Sequence, residues 1–352
     1  MINIINELLP YFTGLWTLPW ILIGYIFTNI FSKIFGNQKV DLIMKKIGLI
    51  LLFVFIPMLL FRIFLDVDFE SSEIIFSILC ILIIALTYLI AYFYAKNYVR
   101  KISFSSKEKK NFIKTFLTNQ GRSSAFIGGA MLAISDWQIP AAIYMSIGAI
   151  FLFALIPYIL LKFHKRENNK KKLTKIEALP WYLKIFPWYL LIFALSSIII
   201  HGTTGIYLSD LTEFGIIFKF ITTLTIPAAL YYVGAGINSN DLKKSEIRKL
   251  FDFKNKREIN QWIWVRHILF LTVFITPLIT ILICILLLFF NIIPNHWIFI
   301  IIINSFLPIT STNMFLLPYG INKKVTALSI SWSTIICVPL VILLITYFRT
   351  FF

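Results

Sequence analysis

The chain has 352 residues, of which 59% are apolar and only 14% charged, with a formal net charge of +17. A soluble protein of this length has no interior large enough for so much hydrocarbon, so the composition excludes a soluble globular domain and points to a polytopic membrane protein. In a soluble chain the basic excess would suggest nucleic acid; its distribution along this chain has another explanation.

Ten apolar spans are predicted, at residues 11–35, 47–65, 74–95, 112–134, 138–162, 181–202, 213–237, 265–290, 297–320 and 325–348. No basic stretch followed by a small-residue cleavage site precedes the first span, which is expected to be retained. The odd-numbered connections, span ends included, hold 4, 7, 8, 8 and 2 Lys or Arg, which is 29 of the 33 in the chain. The even connections instead carry Asp66, Asp68, Glu70, Glu73, Asp136, Asp210 and Glu213, or almost nothing. Positive residues stay on the cytoplasmic side of a membrane, so the expected topology is multi-pass in the cytoplasmic membrane with both termini outside. Basic runs such as Lys170-Lys171-Lys172 then serve topology beside anionic lipid heads and need no nucleic acid. The segment Phe251–Gln261 is read as a solvated loop. Trp181, Tyr182, Trp262, Trp264 and Trp297 are read as interfacial aromatics, and Arg62, Lys219 and Arg349 as snorkelling cations at span ends.

Ten spans divide into two sets of five. Residues 1–162 form a first repeat, 163–180 a basic cytoplasmic linker and 181–352 a second repeat. Five is odd, so the second set is inserted upside down. Pro19-Trp20 matches Pro187-Trp188, and Ile56-Pro57-Met58-Leu59-Leu60-Phe61 resembles Ile226-Pro227-Ala228-Ala229-Leu230-Tyr231, both in corresponding spans. The predicted fold class is an all-α membrane protein with ten transmembrane helices in a 5+5 inverted repeat. Inverted repeats with interrupted helices are a mark of transporters.

The interruptions are legible. Thr118-Asn119-Gln120-Gly121-Arg122-Ser123-Ser124 breaks span four, and Arg122 lies about ten residues, roughly 15 Å, past its basic end. That is near the middle of a hydrocarbon core of about 30 Å. In span nine, Pro308-Ile309-Thr310-Ser311-Thr312-Asn313 stands at a similar depth from the opposite face. Pro308 lacks an N–H, and the hydroxyls and amides after it can partner freed backbone groups. Irregular polar backbone at that depth is tolerated where it lines a protected cavity. The candidate substrate-binding residues are therefore Asn119, Gln120, Gly121, Arg122, Ser123, Ser124, Pro308, Thr310, Ser311, Thr312 and Asn313. Helix ends offer N–H groups there, and Arg122 can grip a carboxylate through two parallel bonds, so a small organic anion is expected. Arg122 also has a second reading, as a clamp on helix-end carbonyls. The Gly128-Gly129 pair permits close helix packing.

No Asp or Glu lies deep in any span, which argues against a proton antiporter built on buried carboxylates. A sodium site made of carbonyls, Asn and Thr stays open. Cys80, Cys284 and Cys337 all fall in apolar spans, and His164, His201, His267 and His296 lie near interfaces without a second histidine at ligand spacing. No metal, cofactor or catalytic residue is expected. The basic loops carry no glycine-rich phosphate-binding pattern. An integral-membrane acyltransferase is the alternative from another class, and it would want a histidine or paired carboxylates at a membrane face.

The residues resemble the auxin efflux carrier family, which includes bacterial permeases for small dicarboxylates. The likeness runs through Leu18-Pro19-Trp20 with Gly24-Tyr25, Ile56-Pro57 with Phe61, and Asn119-Gln120-Gly121. It continues through Ile226-Pro227 with Gly234-Ala235, Phe306-Leu307-Pro308-Ile309-Thr310-Ser311-Thr312-Asn313, Tyr319-Gly320 and Pro339. The resemblance implies the fold shared by bile-acid symporters and sodium/proton antiporters. It implies a scaffold of spans 1, 2, 6 and 7, often dimeric, and a transport core of spans 3–5 and 8–10 that moves like an elevator. Substrate would bind where spans four and nine cross, with Asn119, Gly121, Pro308 and Asn313 at the family's crossover positions. Family members place a proline shortly after the span-four asparagine–glycine pair; here Arg122-Ser123-Ser124 follows. The function expected is a secondary carrier, not an enzyme, with coupling open between uniport, sodium and proton.

Overall fold

A computed structural model describes residues 19–66, 71–101, 105–123, 131–132, 134–168, 181–237, 243, 245, 248, 261–290, 293–310, 313, 316 and 319–351. The start of the first predicted span, Asp68, Glu70, Ser124, Gly128-Gly129, Lys170-Lys171-Lys172, most of Phe251–Gln261, Ser311 and Thr312 lie outside the described residues. About 89% of the structure is helical, with no strand among the described residues. Among the described residues, six helices are long and apolar enough to cross a membrane: Asn37–Leu65, Ser71–Arg100, Gln138–Leu160, Leu208–Ala235, Gln261–Phe289 and Lys323–Phe348. Pro19–Phe35, Trp188–Thr204 and Trp297–Phe306 are shorter apolar helices. Only 28% of the most apolar window of Ser71–Arg100 is buried inside the protein, so most of that surface is left for a non-aqueous surrounding. The protein is all-α and membrane-embedded.

Helix α1 (Pro19–Phe35) ends at Gly36, whose φ of 85° is open to glycine, and α2 (Asn37–Ile50) starts at once. The predicted basic connection after the first span is therefore helix, because one left-handed glycine suffices to turn the chain. Helix α2 continues through a widened π turn, Leu51–Phe55, into α3 (Ile56–Leu65). The cause is Pro57. Its ring would clash with the carbonyl four residues back, and an extra residue in the preceding turn relieves that clash. The same device recurs twice. A π turn at Phe151–Leu155 joins α6 (Gln138–Ile150) to α7 (Ile156–Asn168) ahead of Pro157, and one at Phe270–Ile275 joins α11 (Gln261–Leu269) to α12 (Thr276–Phe289) ahead of Pro277. The remaining α-helices among the described residues are α4 (Ser71–Arg100), α5 (Ser106–Thr118), α8 (Trp181–Thr204), α9 (Thr212–Thr223), α10 (Thr225–Ala235), α13 (Asn295–Phe306) and α14 (Lys323–Phe351).

The chain forms two compact units, each built from three stretches. The first takes residues 1–79, 124–147 and 185–236. Its centre is a backbone-to-backbone approach of α1 and α10. A Cβ on Gly24 would stand 2.1 Å from the Tyr231 carbonyl oxygen, and one on Gly234 only 1.8 Å from that of Ile21. Small residues at both crossing points permit that closeness. Arg62, expected to snorkel, is instead buried. Its Nη1 donates to the Lys219 carbonyl at 3.0 Å and to the hydroxyls of Thr222 and Thr223 at 3.0 and 2.8 Å, tying α3 to α9. A guanidinium with that many acceptors in reach loses less by staying inside than a lone cation would.

The second unit takes residues 80–123, 148–184 and 237–352. An aromatic cluster joins α4, α5 and α11: Phe112 stacks on Phe116 and Tyr98 and meets Trp264 edge-on, while the Tyr94 hydroxyl lies 2.6 Å from His267 Nδ1. Trp262, Trp264 and Trp297, expected at the interface, are instead buried side chains of this unit. Trp181 is 72% exposed, as an interfacial residue would be.

Candidate functional site: a crossing of two unwound segments

Helix α5 begins with a capping box. Ser105 Oγ accepts from the Glu108 N–H while the Glu108 carboxylate accepts from the Ser105 N–H, which holds that carboxyl below its ordinary range. The helix stops at Thr118. Asn119 and Gln120 turn, and Gly121 to Ser123 are non-helical. Helix α13 stops at Phe306, because Pro308 forces its predecessor out of helical geometry; Leu307 is extended, at φ −60° and ψ 147°.

These two ends meet. The Ser123 N–H donates to the Pro308 carbonyl at 2.9 Å, and the Thr310 N–H donates to the Gly121 carbonyl at 3.0 Å. Arg122 and Ile309 thus form an isolated antiparallel bridge. Orphan main-chain groups at two helix breaks satisfy each other, the cheapest way to keep irregular backbone out of water. Helix α14 supports the pair, since the Ile309 N–H donates to Ser333 Oγ at 3.0 Å and Ser333 Oγ donates to the Ile330 carbonyl.

Arg122 spans the break. Its Nη1 donates to the Leu307 carbonyl at 3.1 Å and its Nη2 to the Thr272 carbonyl at 3.0 Å. The second bond follows from the π turn. The Thr276 N–H reaches back to Leu271, and Pro277 has no N–H to give Thr272. The geometry matches the clamp reading of Arg122, and its charge still biases the crossing towards anions.

The amides differ. Asn119 is fully buried; its Nδ2 donates to the Thr115 carbonyl at 2.7 Å and to Thr326 Oγ1 at 3.4 Å, and its Oδ1 has no partner among the described residues. Gln120 Nε2 turns back to the Phe116 carbonyl at 3.4 Å, and its Oε1 has no partner among the described residues. Asn313 is fully buried, and neither its Oδ1 nor its Nδ2 has a partner among the described residues. It lies against Gly121, where a Cβ would stand 3.0 Å from Asn313 Oδ1, 3.0 Å from Leu152 Cδ1 and 3.3 Å from Thr310 Cγ2. Ser123 and Thr310 are buried beside the bridge. The structure thus brings together Asn119, Gln120, Gly121, Arg122, Ser123, Pro308, Thr310 and Asn313, whereas Ser124, Ser311 and Thr312 lie outside the described residues.

Sequence reasoning missed Thr272, Thr326, Ser329, Ser333 and Lys114. Thr326, Ser329 and Ser333 follow the i, i+3, i+7 spacing of one helix face, a signal that was available. Lys114 reads as part of a basic run, yet it is buried, with its Nζ 3.6 Å from where a Cβ on Gly320 would be. No protein-family model matches the chain, and no curated protein shows significant similarity to it.

Proposed function

We propose that the protein is a secondary transporter that carries a small organic anion, a carboxylate, through the crossing of residues 119–123 and 307–313. The observation that carries this reading is Asn313. A fully buried carboxamide with neither end partnered among the described residues costs several kcal/mol in order of magnitude, and a bound solute would repay it. The guanidinium of Arg122 supplies the positive field, and Asn119 and Asn313 supply the contacts. The membrane potential, negative inside, drives an anion outward at about 2.3 kcal/mol per charge per 100 mV, so export needs no nucleotide.

The reading extends to a ten-span, 5+5 inverted repeat in the cytoplasmic membrane with both termini outside, to a likeness to the auxin efflux carrier family, and to a homodimer. The positive-inside pattern of the loops and the matched Ile56-Pro57 and Ile226-Pro227 segments support it. Placement of the crossing wholly within the second compact unit suits a core that moves as one body against a scaffold. The test is calorimetry of the purified protein against mono- and dicarboxylates, followed by uptake in proteoliposomes. Asn313→Ala should weaken carboxylate binding by at least about tenfold, ~1.4 kcal/mol. Unchanged affinity in that variant would remove the crossing from the transport path.

A further inference from the structure

Four amide side chains are buried among the described residues, and three of them are spent in the same way. Asn119 Nδ2 donates to the Thr115 carbonyl, Gln120 Nε2 to that of Phe116 and Asn304 Nδ2 to that of Ile300, always four residues back. Asn313 breaks the pattern, and its backbone explains why. Ile309, four residues before it, is bridged to Arg122 across the crossing instead of wound into a helix, so the helical position for such a carbonyl is lost. Main-chain donors beside it are also taken. The Gly121 N–H donates to the Thr118 carbonyl, that of Ser123 to Pro308, that of Thr310 to Gly121, and that of Asn313 itself to Thr310. Oδ1 and Nδ2 of Asn313 are therefore left over together, fully buried, with no partner among the described residues. Oδ1 lies towards Gly121, 3.0 Å from where a Cβ would stand.

These two atoms need nothing else in the fold to bring them together, because one carboxamide carbon carries both. An acceptor and a donor side by side are satisfied at once by a donor and an acceptor side by side, as when asparagine pairs with the edge of adenine. A carboxylate has acceptors only. Taking the Nδ2 hydrogen sets its second oxygen against Oδ1. A trans peptide points its N–H and C=O in opposite directions and cannot reach both ends. A primary amide or a lactam presents them on one edge. We infer that the solute is an acid that also carries such an edge, gripped by Asn313 through two hydrogen bonds while its carboxylate lies in the field of Arg122. The inference rests on the proposed carrier site and names the class of its solute. A buried site with a polar group left unpaired rejects an analogue that lacks the matching donor.

The test is calorimetry of the purified full-length protein at about pH 8, where free carboxyls are ionised and supply no donor. Two pairs of acids, matched in shape and charge, are compared. Succinamate is set against monomethyl succinate, and pyroglutamate against the γ-lactone acid in which a ring oxygen replaces the N–H. The member with the N–H should bind at least about tenfold more tightly, and the pair that shows this separates a primary amide from a lactam. Asn313→Leu deletes both unpaired ends at similar volume. It should fold with an unchanged or higher thermal midpoint and bind the two members of each pair within about threefold of one another. Equal affinity within both pairs in wild type, or a preference that persists in Asn313→Leu, overturns the inference. Should that variant not fold, the wild-type pairs decide alone: a preference sustains the inference and equality overturns it. Equal binding of all four acids leaves the carrier reading standing without it; no binding by these or by simple mono- and dicarboxylates removes both.

Discussion

Gly121→Ala tests the crossing with a single methyl group. Gly121 does not use left-handed backbone, so alanine fits its conformation, and only the surroundings decide the outcome. The added Cβ would meet Asn313 Oδ1 and Leu152 Cδ1 at 3.0 Å and Thr310 Cγ2 at 3.3 Å, where ordinary contact begins at 3.4 Å. All three are side-chain ends, and each can retreat by a few tenths of an ångström. The cost falls at the low end of the overpacking range, about 1 kcal/mol. Reduced freedom of the unfolded chain offsets about 0.4–1 kcal/mol of it. Stability should therefore change by less than about 1 kcal/mol, whereas the displaced Asn313 amide should lower carboxylate affinity at least about tenfold. Gly234→Ala makes the contrast. Its Cβ would stand 1.8 Å from the main-chain oxygen of Ile21. Reaching 3.4 Å needs α1 and α10 to part by roughly 1.6 Å, which undoes the close approach that small residues permit. Its cost should exceed about 3 kcal/mol, the top of the usual overpacking range. Fluorescence-monitored thermal unfolding reads stability in both variants, and calorimetry reads binding in the one that folds. Wild-type affinity in Gly121→Ala, or wild-type stability in Gly234→Ala, would refute the packing described for that glycine.

Four further outcomes are expected. Arg122→Met removes two charge-assisted bonds and should cost roughly 3 kcal/mol of stability, read as a lowered thermal midpoint, and should abolish carboxylate binding. Arg122→Lys keeps the charge and should hold affinity within about tenfold; equal loss in both would mean that the fork itself grips the solute. Arg62→Met should destabilise the first unit by about 3 kcal/mol without changing solute affinity, because its bonds join α3 to α9 within that unit; a neutral midpoint would contradict that tie. The Glu108 carboxyl is held low by its bonds from Ser105, so the cap is intact above the ordinary glutamate range and fails as pH falls through the lowered value. NMR titration with labelled glutamate should find Glu108 below the ordinary glutamate range and moved up by Ser105→Ala.

The membrane class and the two polar breaks were legible because each rests on local chemistry. Hydrocarbon without compensating charge demands a bilayer, and Pro308 with its hydroxyls, or Asn119-Gln120-Gly121, cannot continue a helix without help. The side-chain ties around those breaks were not legible. Arg122 bonds to Thr272, 150 residues away, because Pro277 widens a turn and frees a carbonyl, and no local pattern states which side chain fills it. Arg62 was misread for the same reason. Its depth depends on Thr222 and Thr223, which only folding brings near. The buried tryptophans show a similar limit, since an aromatic at a span end reads alike whether it faces lipid or Phe112.

Two short hydrogen bonds between residues 121–123 and 308–310 stitch together chain segments separated by nearly two hundred positions. A stitch of that kind has no slack. Whatever displacement exposes one segment to either side of the membrane must drag the other with it, along with the ends of α5 and α13. Under the proposed carrier function the solute cradle would travel whole, and gating would have to occur around it, not by prying its halves apart.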